Sequence, residues 1–200
     1  MPAHEISYII VEDDRDFVFL IEQLLEKEHD LVLLGRAGTK DDAIRLACAL
    51  EPDIVLLDLN LSSSGMDGIE AAREIRKKTQ SKIIVLTSFE DQAMVIEASK
   101  KCFASEYVFK SQFDLIPDVI RKTAAGHTPQ EYMIRSLILA ELTAAERSVF
   151  DAMLGRNVPI LSSHKTIANQ KTSVFKKLGV KNQAELIHIF GDAACETTQI

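Results

Sequence analysis

The feature that most constrains the fold is a regular alternation of short apolar runs and longer amphipathic stretches over the first 125 residues. In the longer stretches apolar side chains recur at helical spacing, and helices are predicted over residues 68–78 and from about residue 90. The third and fourth short runs are apolar almost throughout, which is typical of parallel strands covered on both faces. The runs predicted as strands are residues 8–11, 31–34 (ended by Gly35), 53–57, 82–86 and 107–109. Five strand–helix pairs predict an α/β domain, a doubly wound five-stranded parallel sheet.

The composition bounds the class of protein. Of 200 residues, 46% are hydrophobic and 26% charged, which is typical of a soluble globular protein and excludes a mainly disordered chain. The net charge of -7 argues against a nucleic-acid-binding protein if the chain is taken as a whole. The total charge of two domains can nevertheless conceal one basic surface. No apolar run approaches the roughly 20 residues of a membrane span, and the start lacks a signal-peptide pattern. The cysteines have no metal-type spacing, so a cytoplasmic protein is expected, with Cys48 and Cys102 as small core residues.

The pattern changes after Gly126, because no later segment has the features of a strand. A first domain is predicted over residues 1–125, a linker helix over 126–139 and a small all-α domain over 140–200. The helix starts predicted there are a capping box at Thr143 and Glu146, an N-cap at Ser163 and an N-cap at Asn182.

Reactive side chains stand where the predicted strands end. They are Glu12, Asp13 and Asp14 after the first strand, Asp58 after the third, Thr87 and Ser88 after the fourth, and Lys110 after the fifth. Because the carboxyl ends of parallel strands meet at one edge of a sheet, these groups are expected to converge. Crowded carboxylates repel one another, and Mg²⁺, which prefers oxygen ligands, relieves that repulsion. With an ammonium and a hydroxyl to hold phosphoryl oxygens, Asp58 is predicted to form an aspartyl phosphate.

The first 125 residues resemble the receiver domain of two-component response regulators, which has a flavodoxin-like fold. The resemblance is carried by YIIVEDD at the acidic pair, IVLLDLNL at the phosphoacceptor strand, IIVLTS at the switch hydroxyl and EYVFK at the lysine. It implies that a sensor histidine kinase phosphorylates Asp58. The Mg²⁺ ligands that it implies are Glu12, Asp13, Asp58 and the backbone carbonyl of Asn60.

The resemblance also implies a switch that responds to phosphorylation. Lys110 pairs with the phosphate, and Thr87 and Tyr107 are the pair expected to move. Tyr107 has an alternative interpretation as a core aromatic of its strand. A phosphohydrolase is less favoured, and no enzyme activity is expected, because Asn60 rather than a second carboxylate stands two residues beyond Asp58.

The match departs from the family at three places. The segment LSSSGMDG after Asp58 carries an insertion, so a longer loop beside the phosphate is expected. Ser111, in place of a common proline, follows Lys110 and makes a cis peptide less expected there. Phe103 and Glu106 stand where related receivers often have glycine, and the bulk of Phe103 is expected to alter dimerisation.

The segments LTAAERSVFDAML and KTIANQKTSVFKKLGVKNQAELI resemble the LuxR-type helix-turn-helix output domain of the NarL/FixJ class. The charge agrees, because residues 136–200 carry +1 and the first 135 carry -8. On the predicted helix Ile167, Val174 and Leu178 form an apolar stripe. The opposite face, expected to contact promoter DNA, presents Lys165, Asn169, Thr172 and Lys176. The alternative interpretation of this face is a solvated, lysine-rich surface.

The supporting helix of this helix-turn-helix is expected to be one turn or irregular. The segment RNVPILSSHK is shorter than in related domains, and Pro159 disfavours a helix within it. Ala168 also stands where relatives often have lysine. The chain is therefore predicted to be a DNA-binding transcriptional response regulator, a homodimer at least when phosphorylated. The alternative is a phosphorylation-dependent protein-interaction module whose degenerate output domain does not read specific DNA.

Overall fold

The structure is a computed structural model that describes residues 5–61, 67–88, 92–160 and 162–191. The chain forms two compact units, Met1–Arg135 and Ser136–Ile200. All the strands lie in the first unit, and the described residues of the second unit form helices and connecting segments.

The first unit contains the predicted five-stranded parallel sheet, which is confirmed. Its strands are β1 (Ile6–Val11), β2 (Leu31–Ala37), β3 (Ile54–Asp58), β4 (Lys82–Thr87) and β5 (Glu106–Phe109). The strand order β2-β1-β3-β4-β5 reverses the direction of winding between β1 and β3. In doubly wound sheets, ligands bind beyond the carboxyl ends of the strands at such a reversal.

Helices cover both faces of the sheet. They are α1 (Arg15–Leu25), α2 (Lys40–Leu50), α3 (Asp67–Lys78), α4 (Gln92–Cys102) and α5 (Ile116–Ala125), with a short 3₁₀ helix, Lys110–Leu115, before α5. In β3, Val55 and Leu57 pack against α2, α3 and α4, whereas Ile54 and Leu56 pack against α1 and α5. Both faces of β3 are therefore buried, which is the physical reason for its uninterrupted apolar run.

β2 is longer than predicted, and the prediction that Gly35 ends this strand is wrong. The strand continues to Ala37, and its pairing with β1 skips Leu34, the extra residue of a bulge. A Cβ atom at Gly35 would lie 3.2 Å from a methyl carbon of Leu46 on α2. Glycine here admits close packing of a helix on the strand and does not terminate the strand.

Two further predictions are modified by the structure. Cys102 is buried as predicted, but Cys48 is exposed, so the prediction of a core position for Cys48 is wrong. The buried face of α2 is centred on Ala43 and Ala47, and the next residue along a helix points about 100° away. The predicted start of a helix near residue 90 lies outside the described residues, and so do residues 62–66 of the segment predicted to carry an insertion.

The remaining helices are α6 (Pro129–Leu139), α7 (Ala144–Met153), α8 (His164–Leu178) and α9 (Gln183–Phe190). The predicted caps are confirmed: Thr143 and Glu146 form a capping box, and Ser163 and Asn182 accept hydrogen bonds from backbone N–H groups of α8 and α9. The core of the second unit contains Val149, Phe150, Val174, Leu178, Leu186 and Phe190. Among the described residues, no helix is long and apolar enough to cross a membrane.

Candidate functional site

Three carboxylates meet at the carboxyl edge of the sheet. Glu12 and Asp13 directly follow β1, and Asp58 is the last residue of β3. Because β1 and β3 are neighbours, one carboxylate oxygen of each residue lies within 4.8 Å of the others. Glu12 and Asp58 are buried, with exposures of 5% and 4%, and Asp13 is exposed. The cluster therefore has a solvent-facing side and an oxygen donor set that suits a hard divalent cation.

Lys110 closes the buried side of this cluster. It follows β5, and its Nζ lies 2.9 Å from Oδ2 of Asp58 and 2.6 Å from Oε2 of Glu12. The other oxygen of Asp58, Oδ1, accepts a hydrogen bond of 3.1 Å from the backbone N–H of Asn60. The ammonium also lies 4.5 Å from the centre of the Phe17 ring. Asp58 is thus oriented by donors on both of its oxygens.

The site has an excess of negative charge for its degree of burial. Burial raises the pKa of Glu12 to about 7; the Lys110 hydrogen bond opposes this shift and the charge of Asp58 adds to it. Burial lowers the pKa of Lys110, but the hydrogen bonds to Asp58 and Glu12 outweigh burial and raise it overall. The ammonium of Lys110 offsets only one of the three carboxylate charges in this cluster, two of which are buried. A bound cation would compensate the remaining negative charge.

The two predicted switch residues have different surroundings. Thr87, the last residue of β4, is buried beside β3 and β5. Tyr107 is half-buried against the core, and its hydroxyl oxygen lies 3.2 Å from Sγ of Cys102. Burial raises the pKa of Tyr107, and the nearby Cys102 raises it further. The ring of Tyr107 therefore contributes to the core while its hydroxyl contacts α4.

The structure describes two of the three places at which the chain departs from the receiver pattern, those at Phe103 with Glu106 and at Ser111. Phe103 adopts φ 53°, in the left-handed region that favours glycine, and its buried ring lies 5.2 Å from the guanidinium carbon of Arg73. Packing against α3 thus holds a phenylalanine in a backbone conformation costly for a bulky residue. Glu106 is buried at the start of β5, and Ser111 follows Lys110 through a trans peptide.

Two neighbours of the predicted site had no distinguishing signal in the sequence. Phe17 belongs to the apolar periodicity of α1, and its contact with the Lys110 ammonium requires α1 and β5 to be adjacent in space. Cys102 has the pattern of an ordinary buried helix residue. Its contact with Tyr107 depends on how α4 lies on β5.

The second unit presents the predicted polar face of α8 to solvent. All four of its residues are exposed: Lys165, Asn169, Thr172 and Lys176. On the opposite stripe Val174 and Leu178 are buried and Ile167 is half-buried. Residues 156–160, where a supporting helix was expected to be reduced, contain no helix.

A carboxylate on α7 ties α8 to its neighbour. Oε2 of Glu146 accepts hydrogen bonds from the backbone N–H of Thr143, at 2.8 Å, and from Nζ of Lys177, at 2.7 Å. Oε1 accepts one of 2.6 Å from the hydroxyl of Ser173. The same side chain thus caps α7 and holds two successive turns of α8.

Glu146 makes the stability of the second unit dependent on pH. The hydrogen bonds from Lys177 and then Ser173 lower the pKa of Glu146 from 4.5 to about 2. A lowered pKa in the folded state stabilises the fold above the ordinary pKa, and this contribution is lost as the pH falls towards 2. Glu146→Gln is expected to cost about 1.5 kcal/mol of unfolding free energy at pH 7 and almost nothing near pH 2.

Denaturant unfolding between pH 7 and pH 2, followed by amide NMR signals from α7 and α8, measures this difference. Lys177→Met removes the partner and is expected to reduce the pH dependence in the same way. If the unfolding free energies of the wild type and Glu146→Gln differed by the same amount at every pH, the Glu146 carboxylate would not be the source of the pH dependence.

Comparisons with known proteins agree with this arrangement. The sequence profile of the family described as "Response regulator receiver domain" matches residues 8–121. The transcriptional regulatory protein LiaR of Bacillus subtilis is 31% identical over 175 residues, covering 86% of this chain and 80% of that protein. The nitrate/nitrite response regulator protein NarL of Escherichia coli K12 is 26% identical over 212 residues, covering 92% of this chain and 95% of that protein.

Solved structures show the same fold. A LuxR-family two-component response regulator from Aurantimonas sp. is similar with a TM-score of 0.57 and 27% identity, covering 68% of this chain and 97% of that chain. The response regulator RcsB in complex with DNA is similar with a TM-score of 0.56 and 24% identity, covering 92% of this chain and 97% of that chain.

Proposed function

The chain belongs to the response regulators, and from that premise we propose that it is a transcriptional regulator whose receiver is phosphorylated on Asp58 by a sensor histidine kinase. We assign residues 1–125 to the receiver, 126–139 to a linker helix and 140–200 to a DNA-binding output domain, all in the cytoplasm. What supports the phosphorylation site most directly is Lys110, whose ammonium lies between Asp58 and Glu12 at ion-pair distance from both.

In the proposed reaction an oxygen of Asp58 forms a bond to phosphorus as the phosphorus–nitrogen bond of the kinase phosphohistidine breaks. The departing imidazole nitrogen takes up the electron pair of that bond. Lys110 keeps its proton and moves from pairing with the carboxylate to pairing with the phosphoryl oxygens. The backbone N–H of Asn60 holds Asp58 in place, and the Thr87 hydroxyl would donate to the transferred group.

The donor set of the carboxyl edge fits Mg²⁺. Oε2 of Glu12 is buried and pairs with the Lys110 ammonium at 2.6 Å, and this ammonium offsets one of the three carboxylate charges, so negative charge remains for a divalent cation to offset. Glu12, Asp13 and Asp58, with the backbone carbonyl of Asn60, would hold the ion. When bound it supplies positive charge that reduces repulsion between the carboxylates and an incoming phosphoryl group.

The output function is carried by α8. Its exposed polar face, the local excess of lysine and the similarity to LiaR, a transcriptional regulatory protein, all support promoter DNA as the partner. A homodimer formed on phosphorylation would place two copies of α8 on two half-sites. Residues 156–160 contain no helix, and α8 is held to α7 by the hydrogen bonds that Ser173 and Lys177 donate to Glu146, so Glu146 contributes to the orientation of α8.

The test is DNA binding by the full chain with Asp58 occupied by beryllium fluoride and Mg²⁺, using fragments selected from the protein's own genome. Lys165→Ala with Lys176→Ala is expected to lower affinity at least tenfold and to reduce the slope of log affinity against log salt by about two. Lys101→Ala, at an exposed lysine of α4, is the control and is expected to bind like the wild type. Failure to select any fragment would show that the output domain does not read DNA.

A further inference from the structure

The amino edge of the sheet, opposite the carboxylate cluster, holds the start of the linker helix through Lys82. Lys82 is the first residue of β4, and its Nζ donates to the carbonyl oxygens of Thr123, at 3.0 Å, and Gly126, at 2.6 Å. The same ammonium lies 3.4 Å from Oε2 of Glu131 on α6. One side chain thus joins β4, the last turn of α5 and the first turn of α6.

β5 holds the same segment by a second connection. Its first residue, Glu106, is buried and accepts a hydrogen bond from the Thr128 hydroxyl. The oxygen of that hydroxyl also accepts from the backbone N–H of Glu131, at 3.1 Å, and so caps α6. His127 lies 3.1 Å from the Glu131 carboxylate. Polar contacts therefore hold residues 126–131 to the first residues of β4 and β5.

The backbone at this point can turn easily. Gly126, between α5 and α6, has φ 154°, a conformation that side chains disfavour, and no atom lies within 4 Å of where its Cβ would be. A glycine with no neighbour where its side chain would be is suited to act as a hinge, because its backbone can change conformation without a steric clash at this position.

The strands that hold the linker also form part of the proposed phosphorylation site. β4 begins at Lys82 and ends at Thr87, and β5 begins at Glu106 and leads into Lys110. A strand of six residues spans about 17 Å, so the two ends of β4 are joined by one rigid, hydrogen-bonded element. A displacement of β4 or β5 at the carboxyl edge would therefore also move the first residues of the same strand at the amino edge.

We propose that Lys82 is a linker clamp, which holds residues 126–131 on the amino edge in the unphosphorylated protein and is released when Asp58 is phosphorylated. The release step rests on the proposed function, whereas the clamp itself rests on the contacts of Lys82. When the contacts of Lys82 are lost, α6 can pivot at Gly126. The linker helix, until then held on the amino edge of the sheet, becomes a mobile connection. The helix that leads to the output domain is then the element controlled by phosphorylation.

The test is amide hydrogen exchange of the full chain over residues 127–135, with and without beryllium fluoride and Mg²⁺. In the wild type the reagent is expected to speed exchange in this segment about tenfold, because a charge-assisted contact is lost. Lys82→Met is expected to show the same faster exchange without the reagent and no further increase with it. Glu131→Gln, which retains both carbonyl contacts of Lys82, is expected to show a smaller increase.

Lys78→Met is the control, because Lys78 is a half-exposed lysine of α3 that pairs with Glu74. Unchanged exchange of β1 and β3 amides shows that Lys82→Met has folded. The clamp is refuted if Lys82→Met exchanges like the wild type over residues 127–135. Its release is refuted if the reagent protects the amides around Asp58 but leaves this segment unchanged. No response around Asp58 would instead refute the proposed phosphorylation, and Lys82→Met would still decide whether Lys82 holds the linker.

Discussion

Asp58→Asn is expected to abolish phosphorylation by acetyl phosphate in the presence of Mg²⁺. The substitution retains the shape of the side chain but replaces the attacking oxygen and removes the charge paired with Lys110. Wild-type protein is expected to gain the mass of one phosphoryl group, measured by intact mass spectrometry at neutral pH, because an acyl phosphate hydrolyses in acid and base. The variant is expected to gain none over the same period.

Asp118→Asn is the matched control for this experiment. It makes the same chemical change at an exposed aspartate of α5, whose nearest ion-pair partner is Arg121 at 3.7 Å. Its rate of phosphorylation is expected to equal that of the wild type. Equal labelling of Asp58→Asn and wild type would show that another residue is the phosphoacceptor.

Phe150→Ala is expected to unfold the second unit. Phe150 is completely buried, and its ring meets that of Phe190 edge-on, with centroids 5.5 Å apart. Removing a buried phenylalanine costs about 3–5 kcal/mol, which is a large share of the stability of a small helical unit. Amide NMR signals from α7, α8 and α9 are expected to collapse to unfolded positions, while those of the sheet remain.

Phe19→Ala deletes the same atoms at a surface position. Phe19 on α1 has 60% of its surface exposed, so its removal is expected to change stability by less than about 0.5 kcal/mol. If Phe150→Ala left the signals of α7 to α9 in place, the second unit would have a core that does not depend on this ring. The contact between Phe150 and Phe190 would then be of minor importance.

Much of the fold was predictable because its signals are local. The spacing at which apolar residues recur distinguishes strands from helices. The caps at Thr143, Ser163 and Asn182 mark helix starts through hydrogen bonds within a single turn. Gly35 shows where local reasoning fails. Glycine ends many strands, but here it accommodates Leu46 of α2, and no local pattern shows that this predicted helix packs across β2.

The candidate site was predictable for a different reason. Parallel strands place their carboxyl ends at one edge, so Glu12, Asp13, Asp58 and Lys110 could be expected to converge once the strands were identified. The contacts around them were not predictable. Phe17 beneath the ammonium of Lys110 and Cys102 beside the hydroxyl of Tyr107 depend on how helices lie on the sheet.

The sequence by itself determined the fold class, the helix starts of the second unit and the residues of the carboxyl edge, because periodicity, capping and strand ends are local properties of the chain. Only the tertiary structure decided that Lys82 reaches Glu131, 49 positions away, and that Glu146 holds α8 through Ser173 and Lys177. These contacts follow from the strand order and the packing of helices, which bring together residues that no local pattern relates. The same packing decides which charged groups are buried, and burial determines how strongly they interact.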